Sequence, residues 1–347
     1  MIILKNTDLQ IIASIKRVLT GKKINIVIVP HEHPDGDAIG SAIGFAEVLY
    51  GFGHHVQIIS PSDYPDFIKW FSSKIEIIVY NKNKKQAKEI FNQSDVLICV
   101  DFNEASRAGK MEKMILKYDK HKILVDHHPY PTDFCDFKVS ETHYSSTAEL
   151  IFDLVNETGL EKHLSKNAAE ALYTGILTDT GSFNHNTSDP NTFKVVSELM
   201  KFEIDTKKIH SEVYHNFSVS RMKLLGYCLS QKMIVFPELR TAMISISKKE
   251  QDDFNFKTGD TEGFVNYPLS INNIVFSAIF IEKDDIVKAS FRSTGDFAVN
   301  QFSRDHFNGG GHINAAGGET KLSLEETIKK FTQLLPGYKR QLLETII

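Results

Sequence analysis

The sequence predicts an α/β protein with two parts: an N-terminal doubly wound, mainly parallel sheet domain and a smaller mixed-sheet α/β domain after it, with the active-site cleft between them. Three observations carry this reading. Apolar, β-branched runs at 24–29, 95–101 and 121–125 alternate with helical patterns, as buried parallel strands do. Each of these runs ends in imidazoles or carboxylates, which is where open α/β sheets hold ligands. From about Met233 the order changes to strands at 233–236, 241–247, 274–281 and 286–292. The 347 residues are long for one core, so we divide the chain into a metal-binding catalytic domain (1–189), a helical connector (190–230) and a substrate-binding domain (231–347).

The first domain is read in chain order. Leu9, Ile12, Ile15 and Leu19 recur at helical spacing and predict a helix over 8–20 that covers one edge of the sheet. The strand at 24–29 then enters His31-Glu32-His33-Pro34-Asp35-Gly36-Asp37-Ala38-Ile39-Gly40-Ser41. His31, His33, Asp35 and Asp37 cluster there, and Gly36 lets the backbone turn so that both carboxylates face one point. Imidazole with hard oxygen donors suits manganese, iron, magnesium or zinc. A helix follows over 41–50, closed by Gly51 and Gly53, and then a strand at 55–60; His54 and His55 read as exposed turn histidines. Lys82, Lys84, Lys85 and Lys88 read as a solvated helical face.

The strand at 95–101 terminates in Asp101, and Arg107 beyond it reaches a phosphate or pairs with Asp101. The next strand terminates in Asp126-His127-His128-Pro129. Because strands of this topology converge at their carboxyl ends, the repeated pattern points to a metal centre. Helices are expected at 145–156, opening with a capping box at Ser146 and Glu149, and at 165–177. Asp179 lies just past the second helix as a sixth candidate ligand, and His185 reads as a substrate-side or surface histidine. In the second domain, Gly309-Gly310-Gly311-His312 precedes a small-residue stretch read as a helix, whose amides suit an anion. Arg292, at the end of a strand, joins His312 as a phosphate or base contact.

Composition narrows the partners. A net charge of −4 supplies no global basic field, so a nucleic-acid substrate is short or held by a local patch. Cys99, Cys135 and Cys228 lack the spacing of a disulfide frame or zinc knuckle and read as reduced thiols. Charges interrupt the first twenty residues, and the apolar runs are strand-length. The expectation is a soluble, cytoplasmic protein with no membrane partner, its oligomeric state open, with a homodimer as one option.

Taken together, the element at 31–41, Asp101, Asp126-His127-His128, Asp179 and Gly309–His312 resemble the DHH phosphoesterase family and its DHH-associated C-terminal domain. The resemblance spans nearly the whole chain and is closest to the branch of bifunctional nanoRNase/pAp phosphatases, often described as exopolyphosphatase-related. It implies two divalent metal ions, manganese first, with magnesium, iron, cobalt or zinc as alternatives. His31, Asp35 and Asp101 would hold one ion; Asp37, Asp101, His127 and Asp179 would hold the other, with Asp101 bridging. His128 would lie beside the scissile phosphate as the catalytic residue. Arg292, Gly309, Gly310, Gly311 and His312 would bind substrate, and Asn308 stands where many members have a fourth glycine. The implied activity cleaves very short oligoribonucleotides and removes the 3′-phosphate of 3′-phosphoadenosine 5′-phosphate (pAp), by a water activated between two metals. Rival readings are a cyclic-dinucleotide phosphodiesterase, a polyphosphate or pyrophosphate hydrolase, and a non-catalytic nucleotide-binding regulator.

Overall fold

The computed structural model describes residues 4, 7–71, 73–184, 187, 189–257 and 259–346. The chain forms two compact units, Met1–Asn216 and Phe217–Ile347. The boundary falls inside the stretch 190–230 that the sequence suggested as a connector.

The first unit runs α1 (Leu9–Thr20), β1 (Asn25–Pro30), α2 (Gly36–Phe52), β2 (His55–Ser60), β3 (Ile77–Val79), α3 (Lys84–Gln93), β4 (Val96–Val100), α4 (Glu112–Leu116), β5 (His121–Asp126), β6 (Phe137–Ser140), α5 (Thr147–Thr158), α6 (Lys166–Asp179), α7 (Pro190–Met200) and α8 (Thr206–Tyr214). Among the described residues its strands lie in the order β3-β2-β1-β4-β5-β6, all parallel. Winding reverses between β1 and β4, and the crevice at their carboxyl ends is the switch point where such sheets bind ligands. Alternate residues of each strand feed opposite cores. Val96, Ile98 and Val100 join the layer of α1, α2, α5 and α6, whereas Leu97 and Cys99 join the layer of α3 and α4.

One helix pair sets the position of the site. Gly36, Gly40 and Gly44 recur every four residues and line one face of α2. A Cβ at Gly40 would lie 2.6 Å from the Ala171 carbonyl oxygen, and one at Gly44 would lie 2.6 Å from the Leu172 side chain. On α6, a Cβ at Gly175 would lie 2.6 Å from the Ala148 Cβ and 2.8 Å from Asp37 Oδ1. Missing side chains therefore let α2, α5 and α6 approach closely. This corrects the reading of Gly36 as a turn residue: it is the first residue of α2, has no positive φ, and leaves room for Thr178, whose Oγ1 would be 2.3 Å from a Cβ there.

Other local readings change as well. α2 continues through Gly51, and Gly53 (φ 106°) alone caps it, its N–H donating to the Leu49 and Tyr50 carbonyls. His55 is exposed, but His54 is buried: its Nε2 lies 2.8 Å from the Leu19 carbonyl, and its Nδ1 accepts from the Ile24 N–H at 3.3 Å. Ser146 caps α5 by accepting from the Glu149 N–H, but no reciprocal capping box forms. The Glu149 carboxylate instead accepts from Ser145 N–H and Oγ, Asn191 and Thr192, tying α5 to α7.

The second unit runs α9 (Val219–Tyr227), β7 (Ile234–Phe236), β8 (Thr241–Ile246), α10 (Lys248–Asp253), β9 (Phe276–Glu282), β10 (Val287–Ser293), α11 (Val299–Phe307), β11 (Gly310–His312), β12 (Ala315–Thr320), α12 (Leu324–Leu334) and α13 (Lys339–Glu344). Its strands lie in the order β11-β12-β10-β9-β8-β7 among the described residues, with β8 and β9 parallel and the other pairs antiparallel. Phe276, Phe280, Phe291, Phe302, Phe307 and Phe331 fill the core beneath α11 and α12.

The glycine stretch does not lead into a helix. It forms the β11–β12 hairpin, because its glycines are used for backbone approach. A Cβ at Gly309 would lie 1.9 Å from the Gly317 carbonyl oxygen, and one at Gly311 would lie 2.4 Å from the Ala315 carbonyl oxygen. Asn308 takes φ 48° at the end of α11, a left-handed position that Asn tolerates. Among the described residues, no helix is long and apolar enough to cross a membrane.

Candidate metal centre

Parallel register brings the predicted donors together. Pro30 pairs with Val100, and Val100 with Val125, so the ends of β1, β4 and β5 are level. His31, Asp101 and His127 each lie at or just past one of these ends. Asp101 adopts φ 65°, a left-handed conformation rare outside glycine and found at strained functional positions. Its N–H still donates to the Val125 carbonyl at 3.0 Å, which holds the turn.

Two donor groups each present a ring Nε2 to carboxylates, and a further set, Asp101, Asp126 and His128, also brings its donor atoms within 4.8 Å of one another. His31 Nε2 lies 3.6 Å from Asp101 Oδ2 and 3.9 Å from Asp35 Oδ2. His127 Nε2 lies 3.5 Å from Asp179 Oδ2, 3.7 Å from Asp101 Oδ1 and 4.0 Å from Asp37 Oδ2. The Asp101 carboxylate thus presents one oxygen to each group. The donor atoms of His31, Asp35 and Asp101 lie within 4.8 Å of one another, as do those of Asp37, His127 and Asp179.

Surrounding groups orient these donors. His31 Nδ1 is 2.9 Å from the Glu32 carbonyl and His127 Nδ1 is 3.2 Å from the Tyr144 carbonyl. Each carbonyl accepts the Nδ1 proton, leaving Nε2 with its lone pair toward the carboxylates. Asp37 accepts from the Thr147 N–H at 2.7 Å, the Ala148 N–H at 2.9 Å and Ser41 Oγ at 3.2 Å. Thr147 Oγ1 donates to Asp101 Oδ1 at 2.8 Å, so the first turn of α5 touches both donor groups.

Electrostatics show why a cation belongs here. Burial first, and then Asp35, push the Asp37 carboxyl up to about 7, against the pull of its hydrogen bonds. Burial, reinforced by Asp37, Asp35, Asp179 and Asp126, drives Asp101 well above the carboxylate range. Asp35 behaves oppositely: burial raises it, but His31 and the Ala38 N–H outweigh that and hold it low. Burial holds His31 and His127 below the ordinary histidine value, keeping them neutral. Crowded buried carboxylates facing neutral Nε2 atoms fit divalent cations, whose positive charge would offset the repulsion.

His128 sits beside this centre, its Nδ1 2.8 Å from Asp126 Oδ1 and 3.7 Å from Asp101 Oδ1. Burial, with His127, Arg107 and His31 nearby, holds it well below its usual value. Asp126 is fully buried and burial lifts it to about 7. The sequence reading gave Asp126 no role; its place beside His128 in the tripeptide was the available signal. Thr147 and the Tyr144 carbonyl were also missed, since 145–147 read only as a helix start.

The remaining candidates fall elsewhere. His33 is exposed and belongs to neither donor group. Arg107 is exposed and makes no ion pair with Asp101 among the described residues. His185 lies outside the described residues. In the second unit, Arg292 of β10 pairs in register with Ala315 of β12, which pairs with His312 of β11. Residues opposite one another share a sheet face, so Arg292, Ala315 and His312 form one row. The Arg292 Nη1 donates to the Phe291 carbonyl at 3.0 Å, and Gly310 and Gly311 lie in β11 just before His312, preceded by Gly309.

The profile of the DHH family, N-terminal domain, matches residues 25–176, and that of the DHHA1 domain matches residues 240–337. A crystal structure of an exopolyphosphatase-related protein from Bacteroides fragilis is 40% identical in sequence, with a TM-score of 0.91 over 98% of this chain and 99% of that one. The chain belongs to the DHH family. Among DHH relatives, a probable bifunctional oligoribonuclease and PAP phosphatase, NrnA, of Streptococcus mutans is 29% identical over 308 residues, 87% of this chain and 92% of that protein. The cyclic-di-AMP phosphodiesterase GdpP of Geobacillus thermodenitrificans is 25% identical over 95% of this chain and 50% of its own length.

Proposed function

We propose that this DHH-family phosphoesterase hydrolyses very short oligoribonucleotides to mononucleotides and removes the 3′-phosphate of pAp. The observation that carries the chemistry is Asp101, whose two oxygens face two separate histidine–carboxylate groups. Likeness to the bifunctional NrnA proteins over most of both chains supports the substrate class. His31, Asp35 and Asp101 would hold one divalent cation, manganese first, and Asp37, Asp101, His127 and Asp179 a second; when bound, they would supply charge that acidifies water and offsets charge on phosphoryl oxygens.

The chain's own residues do the rest. The Glu32 and Tyr144 carbonyls fix the two ligand imidazoles, and Thr147 fixes Asp37 and Asp101. Water forms the new bond to phosphorus and releases a proton to solvent, the bond to the ribose oxygen breaks, and that oxygen takes a proton from His128, which regains one from solvent. His128 is held low in the free protein, and an anionic phosphate beside it raises its affinity for that proton. Arg292, His312 and the glycines at 309–311 bind the substrate's terminal phosphate and base. The free thiols of Cys99, Cys135 and Cys228 suit a reducing cytoplasm.

Two expected results arise here. Asp37 carries a proton below about 7, and a cation must displace it. Manganese affinity therefore falls by at least about tenfold per pH unit as pH drops below that value, with the raised Asp101 carboxyl adding to the slope, measured by calorimetric titration from pH 5.5 to 8.5; a flat profile would contradict proton competition at Asp37. Arg292→Ala loses a charge-assisted phosphate contact and raises KM for substrates with a terminal phosphate by about tenfold or more, with kcat changed less. Steady-state kinetics on pAp checks this, and an unchanged KM removes the role given to Arg292.

The activity itself is tested by incubating manganese-loaded protein with pAp, di- to penta-ribonucleotides, a long RNA, cyclic di-AMP, its linear form and polyphosphate, with products resolved by chromatography. Mononucleotides from the shortest RNAs and phosphate from pAp are the expected products. Preference for the cyclic dinucleotide would support the second reading, which the match to the GdpP protein favours. Nucleotide binding without any cleavage would leave a regulator.

A further inference from the structure

Arg107 lies on the short helical segment between β4 and α4, outside every donor group, yet it is tied to the loop that carries the first metal-ligand candidate. The Glu32 N–H donates to the Arg107 carbonyl at 2.7 Å, and the Glu32 carbonyl in turn is 2.9 Å from His31 Nδ1. Two residues on, Gly109 turns the chain with φ 53° and ψ −122°, and a Cβ there would lie 2.2 Å from Glu32 Oε2. Ala105, Ala108 and Met111 are buried in the core beneath and anchor the segment. The Arg107 side chain is exposed and makes no hydrogen bond or ion pair among the described residues. Its charge reaches the site nonetheless, adding a lesser downward pull on His31, Asp35 and His128 and opposing the rise that burial imposes on Asp126.

An anchored backbone beside a ligand loop, with a guanidinium that no described protein group occupies, is an arrangement suited to an oxyanion. We propose that Arg107 grips the non-bridging oxygens of the phosphoryl group at the metal centre and so selects phosphate substrates from within the first unit. This rests on the reading of the site as a phosphoester hydrolase. Lysine keeps the charge but loses the two-pronged geometry, so it preserves only part of the interaction.

The test titrates inorganic phosphate by calorimetry into the magnesium-loaded full chain and into its Arg107→Ala and Arg107→Lys variants. Magnesium and manganese binding are measured in parallel. The expected result is that Arg107→Ala weakens phosphate binding about tenfold or more, Arg107→Lys weakens it less, and cation affinity stays within about twofold of the parent. Melting temperature controls for folding, which an exposed side chain leaves intact. Phosphate binding within twofold of the parent in Arg107→Ala would overturn the proposal, as would failure of the parent to bind phosphate. Equal loss of cation binding in both variants would make Arg107 a structural strut and overturn it too. A parent that binds phosphate through Arg107 but cleaves no oligoribonucleotide or pAp would remove the substrate reading and leave this one standing.

Discussion

Asp101→Asn is expected to lower turnover on the order of 10³-fold while raising the melting temperature of the metal-free protein. The two effects share one cause. Asp101 is buried among Asp37, Asp35, Asp179 and Asp126, each of which disfavours its charge. Replacing the carboxylate with an amide removes that repulsion and keeps an oxygen to accept from Thr147 Oγ1. The same change alters a side chain that faces both donor groups, so divalent-cation binding is expected to fall with it. Turnover, manganese per chain by elemental analysis, and melting in chelator are the measurements. Parental turnover in Asp101→Asn would sink the shared-carboxylate assignment, and a lowered metal-free melting temperature would sink the repulsion argument.

Gly40→Ala is expected to damage the site from a distance. The new Cβ would lie 2.6 Å from the Ala171 oxygen and 2.9 Å from the Gly175 nitrogen, both backbone atoms that cannot swing aside. α2 and α6 must separate, and overpacking of this kind costs about 1–3 kcal/mol. Because Asp37 rides on α2 and Asp179 on α6, their spacing changes too. A displacement near 1 Å can lower turnover about 10²-fold. Gly226→Ala in α9 is the control: no atom lies within 4 Å of its Cβ, and the change is expected to stabilise slightly. Melting curves and kinetics of the two variants should move in opposite directions in stability, and an unaltered Gly40→Ala protein would contradict the close-packing account.

How far the sequence was legible follows from how local each signal is. The parallel first sheet and the mixed second sheet were readable because buried strands leave unbroken apolar runs. Strand and helix ends marked out a pool of donors, and the resemblance to the DHH family selected His31, Asp35, Asp37, Asp101, His127 and Asp179 from it. What holds them could not. The Tyr144 carbonyl and the Thr147 N–H are backbone groups of an ordinary helix start, and only the tertiary fold aims them at His127 and Asp37. Gly36 and the glycines near His312 read as turn or anion-loop residues because sequence shows a missing side chain without showing what fills its space. His54 looked like a turn residue for a similar reason, since its partner Leu19 lies 35 positions away.

The most direct measurement is a crystal of the wild-type protein soaked in manganese, with anomalous difference density collected at the metal edge. The account predicts two peaks, one among His31, Asp35 and Asp101 and one among Asp37, Asp101, His127 and Asp179, with Asp101 touching both. A single peak, or density centred instead on Asp126 and His128, would contradict it.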